Sequence, residues 1–467
     1  MMIPHLKRML GISPCLLALS SCLLGPNPDG AEIALPGSIR GDQAPHGRSF
    51  GDQSWRKVFS DPTLRSLIEH ALENNPDLAA ATYRIEEARA QANIARSAFF
   101  PQISAGADAT SNQGSVNANQ VAPGRSRHSE AYNLSGYLSW EIDLWGRITR
   151  SNQAARAQLL GVQFQRDAVQ TMLVAAVATA YVDLKNLDER LAITRRTVES
   201  RRASLELVRA RREGGVSSDM EVRQAESLLA QAEVLIPTTE LAMATKENEL
   251  RALLNEYPGK LTRAGRFDQL DRAMKIQAGL PSSLIARRPD VAAADQRFRA
   301  ATAEIGVNEA LRYPSLTLTG RAGAMSADLS SLLESQSSAY SFGPSLLGPV
   351  IDGGNRRARV VAARARAQAA MADYDQAVKQ AFREASNSII AYHKSGQIIT
   401  EQEKLVTAQS GAASLSAERF KGGVTSYLEV LDSERNLFNS ELALADARAD
   451  RQRAVVQAYR ALGGGWK

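Results

Sequence analysis

Pro76-Asp77-Leu78-Ala79-Ala80-Ala81 returns 213 residues later as Pro289-Asp290-Val291-Ala292-Ala293-Ala294. Phe100-Pro101 returns as Tyr313-Pro314 at the same offset. Gly214-Gly215-Val216-Ser217-Ser218 returns as Gly422-Gly423-Val424-Thr425-Ser426 at an offset of 208. Self-similarity at one long period marks a chain built from two copies of a single structural unit. Between these landmarks each half carries two short alternating stretches and then one very long helical run. A soluble enzyme is not built that way, so the repeat decides the class.

The alternating stretches come first in each half. After Pro101, Ile103, Ala105, Ala107 and Ala109 alternate with Gln102, Ser104, Gly106 and Asp108. Beyond a polar loop, Leu134, Gly136, Leu138, Trp140 and Ile142 alternate with Asn133, Ser135, Tyr137, Ser139, Glu141 and Asp143. In the second half Leu316, Leu318, Gly320 and Ala322 alternate with Ser315, Thr317, Thr319 and Arg321, and Tyr340, Phe342, Pro344 and Leu346 with Ser341, Gly343 and Ser345. A period of two gives one apolar and one polar face. About ten residues is the length that crosses a bilayer when the strand is tilted. Trp140 and Tyr137 are candidates for the membrane interface, where amphipathic rings collect.

The helical runs separate a membrane sheet from a soluble one. From Arg147 to Glu213 there is no proline and one glycine, Gly161; from Asn355 to Lys421 there is again no proline, and each run has 67 residues. At about 1.5 Å per residue such a helix reaches roughly 100 Å, which no compact domain of this mass requires. Each run stops at a Gly-Gly pair, which suits a C-cap, and Ser217 or Ser218 and Thr425 or Ser426 are candidate N-caps for a returning helix. The returns span Asp219 to about Asn255, with a kink expected at Pro237, and Tyr427 to about Leu462. Ahead of them, Trp55–Leu72 and a segment from Pro76 to about Ala98 have helical spacing.

Composition agrees with long helices. Aromatic residues make up 6% of the chain, and charges of both signs alternate along the runs, as at Arg84, Glu86, Glu87 and Arg89. The net charge is +6, yet no basic block is interleaved with aromatic residues, so no nucleic-acid partner is expected. Lys7 and Arg8 open a basic start, followed by a short apolar stretch that suits a secretory signal and is too short to span a membrane. Leu19-Ser20-Ser21-Cys22 resembles a bacterial lipobox. That resemblance implies acylation of Cys22, and Leu23 in place of Asp favours the outer membrane. Cys15 falls in the signal, so Cys22 is the sole mature cysteine and no internal disulfide is possible.

The fold class expected is mainly α with a small membrane β part. It comprises a signal peptide (1–21), a lipidated tether (22–53), a first repeat (54–262), a linker (263–281) and a second repeat (282–467). Strands are expected at about 102–110, 132–143, 315–324 and 339–348, and long hairpins at 147–255 and 355–462. Four strands cannot close a barrel, and open edges in lipid leave backbone groups unpaired at several kcal/mol each. Eight strands from two chains enclose only side chains, whereas twelve from three leave a lumen. A homotrimer with a 12-stranded barrel on a helical tunnel is therefore expected, in contact with outer-membrane lipid.

The lipobox, the duplicated Pro-Asp-hydrophobic-Ala runs, Gly422-Gly423-Val424-Thr425-Ser426 followed by Tyr427-Leu428-Glu429-Val430-Leu431-Asp432, and the terminal Ala461-Leu462-Gly463-Gly464-Gly465-Trp466 together resemble the TolC-type outer-membrane efflux proteins, in the lipoprotein branch of OprM and NodT. The likeness covers essentially the whole mature chain. It implies a passive channel-tunnel that joins a periplasmic adaptor (membrane-fusion) protein and an inner-membrane pump, commonly of the resistance-nodulation-division class, and exports drugs or other toxic small molecules. Protein secretion or metal export through the same duct remain alternatives. A periplasmic coiled-coil adaptor lipoprotein is a further one, although it would carry one hairpin between compact domains.

No catalytic constellation appears. The five histidines are scattered, and no His-Glu-x-x-His, Cys-x-x-Cys or phosphate loop is present, so neither enzyme activity nor a metal or cofactor other than the lipid on Cys22 is expected. Gly463–Gly465 read as a frayed chain end. Leu428, Asp432 and Arg435 share one helix face at i, i+4 and i+7. Their counterparts in the first half are Met220, Gln224 and Ser227, so the charges are peculiar to the second. The resemblance implies that Leu428, Asp432 and Arg435, with Glu429, form a closed periplasmic gate. It also implies that Gly214, Gly215, Val216 and Ser217, with Gly422, Gly423, Val424 and Thr425, lie where an adaptor docks.

Overall fold

The computed structural model describes residues 23–42, 49–115, 117, 126–263 and 276–466. The elements, in order, are α1 (Trp55–Val58), α2 (Pro62–Asn74), α3 (Pro76–Ser97), β1 (Gln102–Gln113), β2 (His128–Ile142), α4 (Arg147–Glu213), α5 (Asp219–Leu253), α6 (Pro281–Arg287), α7 (Pro289–Ala310), β3 (Ser315–Ser326), β4 (Ser338–Leu347), α8 (Asn355–Lys421) and α9 (Tyr427–Ala461). Lengths match between the halves: 22 residues for α3 and α7, 12 for β1 and β3, 67 for α4 and α8, 35 for α5 and α9. Cys22 and residues 264–275, between α5 and α6, lie outside the described residues.

Two local readings are corrected. The helix expected over Trp55–Leu72 is broken between α1 and α2, because Asp61 caps a new helix. Its carboxylate accepts from the Thr63 and Leu64 amides at 2.7 and 3.2 Å, and Pro62 takes the first position, where a missing N–H costs nothing. The terminal glycines do not fray. Gly463, Gly464 and Gly465 are buried, and Trp466 Nε1 donates to the Arg287 carbonyl at 3.0 Å. At Pro237 α5 runs on without interruption.

The chain divides into two compact units. The first holds Ile85–Val162 and Ala294–Tyr374 together with the N-terminal segment up to Glu32. Its centre is one antiparallel sheet in the order β1-β2-β3-β4, with β1 and β4 as edges. The register sets Ile103 opposite Leu138, Leu138 opposite Gly320 and Gly320 opposite Phe342, so apolar residues from all four strands share one face. Ile103 (78%), Phe342 (68%) and Leu346 (65%) are largely exposed there, which leaves an apolar surface uncovered among the described residues.

The opposite face carries a polar network. Asn133 Nδ2 donates to Asp108 at 2.7 Å and to the Tyr137 hydroxyl at 3.1 Å, Ser135 donates to Asn133 at 2.6 Å, and Arg321 Nε donates to Ser135 at 3.1 Å. Tyr137 belongs to the polar face, under the Arg321 guanidinium. Trp140 is on the apolar face, and its indole donates to the Phe99 carbonyl at 3.0 Å.

The second unit holds Ile33–Arg84, Gln163–Ala293 and Asp375–Lys467. Its main core gathers Phe50, Trp55, Phe59, Leu64 and Ile68 against Val177, Tyr181 and Leu184 of α4, Ile389 of α8 and Tyr459 of α9. Two tyrosines of this core satisfy their hydroxyls: that of Tyr181 donates to Asp61 at 2.9 Å, and that of Tyr459 to the Gln53 carbonyl at 2.7 Å. Phe50 and Phe59 each meet the Tyr459 ring edge-on at 5.9 Å.

Candidate functional site

The tips of the two hairpins lie in the second unit. Each long helix ends in a glycine pair whose second member has a left-handed backbone, Gly215 at φ 71° and Gly423 at φ 72°. That conformation turns the chain so that the Val216 and Val424 amides reach back to the Arg211 and Arg419 carbonyls, at 2.8 and 2.9 Å. Of the candidate N-caps, Ser218 makes a full capping box with Glu221. Ser426 holds the N-cap position of α9 without a side-chain bond, and the Thr425 hydroxyl instead donates to Glu429. Val216, Met220, Val424 and Leu428 are all more than half exposed, so both tips present apolar side chains to their surroundings.

The charged group singled out in the sequence falls together on the first turns of α9. Arg435 Nη2 donates to Asp432 at 2.6 Å, and Asn436 Nδ2 to the other oxygen of Asp432 at 3.2 Å. Both members of this ion pair sit on one helix and are more than half exposed. Within a protomer the pair therefore ties nothing to anything else, and only a neighbouring chain could turn it into a fastening. Glu429 faces Arg419 at 3.9 Å, within its own hairpin.

Sequence reasoning missed the contacts that do join the two hairpins. Arg211, near the end of α4, donates from Nη1 to the Phe420 and Lys421 carbonyls at 3.0 and 3.3 Å. Its guanidinium also lies 4.6 Å from the centre of the Phe420 ring. These carbonyls end α8, so the arginine meets the negative end of that helix. One layer further along, the Ser204 hydroxyl of α4 donates to Glu434 of α9 at 3.0 Å. Arg201 is buried beneath them; it donates to the Leu228 carbonyl at 2.8 Å and stacks over Phe438 at 5.0 Å.

The electrostatics of this layer follow from burial. Desolvation lifts the Glu434 carboxyl above the usual range, although Ser204 and Arg201 pull the other way. Burial beside Glu434 pushes the Tyr427 hydroxyl up to about 12, so it remains neutral. Burial lowers Arg201. A cleft of about 420 Å³ opens here, lined by Ser204, Leu207, Phe420, Tyr427, Val430 and Glu434 among others. Arg211 does have a repeat partner in Arg419, but nothing in a helical heptad says that one reaches across and the other does not.

Among the described residues there is no group of three or more His, Cys, Asp or Glu arranged to hold a metal. The pattern that remains is a sheet with an uncovered apolar face and long helical hairpins with apolar, charge-flanked tips. The sequence signature described as outer membrane efflux protein matches residues 67–256 and 280–464. This chain belongs to the outer membrane efflux protein family. It is 33% identical to the outer membrane protein OprJ of Pseudomonas aeruginosa over 479 residues, covering 98% of this chain and 97% of the relative. Its identity to the solvent efflux pump outer membrane protein SrpC of Pseudomonas putida is 33% over 464 residues, with 97% of each chain covered. The solved outer-membrane channel OprN superposes with a TM-score of 0.89 at 32% identity, covering 95% of this chain and all of that one. The open-state MtrE outer-membrane channel of Neisseria gonorrhoeae gives 0.85 at 29% identity, covering 96% and 99%. The efflux family and its outer-membrane location thus apply to this chain.

Proposed function

We propose that three copies of this chain form a passive outer-membrane duct, the last stage of a tripartite efflux system for drugs or other toxic small molecules. The observation that carries this reading is the sheet: four strands of membrane length, one apolar face exposed, and two edges left at β1 and β4. Edges in lipid must be paired, and three sheets joined edge to edge give twelve strands around a lumen. The face bearing Asp108, Asn133, Ser135 and Arg321 would line that lumen, and the apolar face would meet lipid.

In this reading the helical hairpins extend the duct into the periplasm. Gly214–Ser217 and Gly422–Thr425 meet the adaptor, whose own partner is an inner-membrane pump, most naturally of the resistance-nodulation-division class. Three-fold symmetry turns Leu428, Glu429, Asp432 and Arg435 into rings that narrow the tip. Acylation of Cys22 anchors the N-terminus in the outer membrane. The chain supplies no energy source and needs none, because transport down the duct is passive.

The test is electrical and genetic together. Purified protein in planar bilayers should form discrete channels, and deletion of the gene should sensitise cells to several unrelated compounds. Silence in the bilayer, with deletion leaving susceptibility unaltered, would refute the reading.

A further inference from the structure

Arg150, in the first turn of α4, is 1% exposed. Among the described residues no carboxylate lies in ion-pair range of it, although the charges of Asp29 and Glu309 act on it from farther off. Nε donates to the Leu24 carbonyl at 3.1 Å, and Nη2 to the Gly25 carbonyl and to Asn27 Oδ1, both at 3.1 Å. Only Nη1 turns elsewhere, to Gln153 at 3.0 Å. A buried guanidinium with unfilled donors is strongly disfavoured. Three of the four hydrogen bonds that make the burial of Arg150 tolerable therefore come from the segment Leu23–Asn27 seated on it.

The fit is tight on the other side as well. A Cβ on Gly25 would come within 2.5 Å of the Gly306 Cα, and one on Gly306 within 2.6 Å of the Leu24 carbonyl oxygen and 2.8 Å of Arg150 Cγ. Two backbones touch here, which only glycine permits. The Leu24 amide donates to the Trp145 carbonyl at 3.4 Å, and Leu23 packs on Gly146 where β2 gives way to α4. Trp145 stacks on Tyr313 at 4.8 Å, so the segment arrives beside an aromatic pair at the foot of the sheet.

Comparison of the two halves isolates this arrangement. At the offset of 208 the partner of Arg150 is Ala358, and at the offset of 213 the partner of Gly306 is Asn93. Both departures from the repeat occur where the N-terminal segment lies, and the segment itself has no second copy.

We propose that Arg150 and Gly306 form a socket for Leu23–Asn27, and that this socket fixes where the acyl chains borne on Cys22 enter the bilayer: at the foot of β2, beside Trp145 and Tyr313. The delivery step rests on the acylation and membrane reading above; the seating does not.

Hydrogen exchange on the purified full-length protein tests the seating, with intact mass reporting acylation separately. The Leu24 amide should exchange at least about tenfold more slowly than a free amide, and Arg150→Ala should abolish that protection. Gly25→Ala, which leaves α4 and its arginine untouched, should do the same while the hairpins keep their protection. Both variants should be acylated normally yet assemble more slowly into the proposed trimer in cells. An unprotected Leu24 amide in the wild type, or protection unchanged by both substitutions, overturns the socket. A mature chain without acyl mass overturns the delivery step and the lipid reading together.

Discussion

Arg211 in the first hairpin donates to the carbonyl oxygen of Phe420 in the second at 3.0 Å, while its guanidinium covers the same residue's ring. One side chain thus joins two helical hairpins at their tips by a charge-assisted hydrogen bond, a helix-end interaction and a cation–π contact. The ion pair between Asp432 and Arg435, more conspicuous in the sequence, lies wholly within α9.

Removing that fastening should loosen the tip. Arg211→Ala is expected to raise single-channel conductance and to lower stability by about 1.5–3 kcal/mol, the range for a hydrogen bond to a charged group. Arg211→Lys keeps the charge but loses the planar fork, and should fall between the two. Bilayer recordings and thermal melting read both effects; wild-type conductance in Arg211→Ala would remove the residue from the account.

The Asp432–Arg435 pair should behave differently. Exposed pairs of this kind contribute about 0–1 kcal/mol, so Asp432→Asn with Arg435→Gln should barely move the melting midpoint. If three-fold symmetry builds rings from these residues, the same double variant should nonetheless raise conductance. A change in melting without a change in conductance would reverse the assignment.

Glu434 predicts a pH dependence of definite sign. Burial holds its carboxyl above the ordinary value of 4.5, so the folded tip favours the protonated form. Its contribution is fully present below that ordinary value and is lost as pH rises through the raised one. Glu434→Gln should therefore melt at a higher temperature than wild type at pH 8, with the gap closing by pH 4. A gap that widens in acid would contradict the burial argument.

The opposite sign is expected where α7 begins. Burial alone would raise Asp290, but the hydrogen bond and charge of Arg288, 2.6 Å away, outweigh it and hold the carboxyl low. This stabilisation is present above the ordinary carboxylate value of 3.8 and fades as pH falls through the lowered one. Asp290 is nearly half exposed while Arg288 is buried, so Asp290→Asn should cost about 1–3 kcal/mol at pH 7, less than a fully buried pair. Melting curves at pH 7 and pH 3 should show that difference shrinking.

Much of the architecture was legible because it is written locally. Proline-free runs bounded by glycine pairs give α4 and α8 their limits, and strict alternation marks β2. One misreading was local, since Asp61-Pro62 starts a new helix after α1; another arose where distant partners decide. Gly463–Gly465 look like a loose end until Arg287, far away in sequence, accepts them into the core. The sequence also pointed to charges on α9, since Asp432 and Arg435 break the repeat. It could not point to Arg211 or Glu434, each of which has a like residue in the other half, Arg419 and Glu226, and differs only in what lies opposite.

The central claim is that the edges β1 and β4 pair with those of neighbouring copies. Cys22 is the only cysteine expected in the mature chain, and acylation would block it, so engineered cysteines report cleanly. Chains carrying one cysteine in β1, at Ala105 or Ala107, and one in β4, at Tyr340 or Phe342, should be oxidised in membranes and run on denaturing gels. The account predicts a ladder of covalent monomer, dimer and trimer that stops at three; cross-links that never leave the single chain, or a ladder that continues past three, would contradict it.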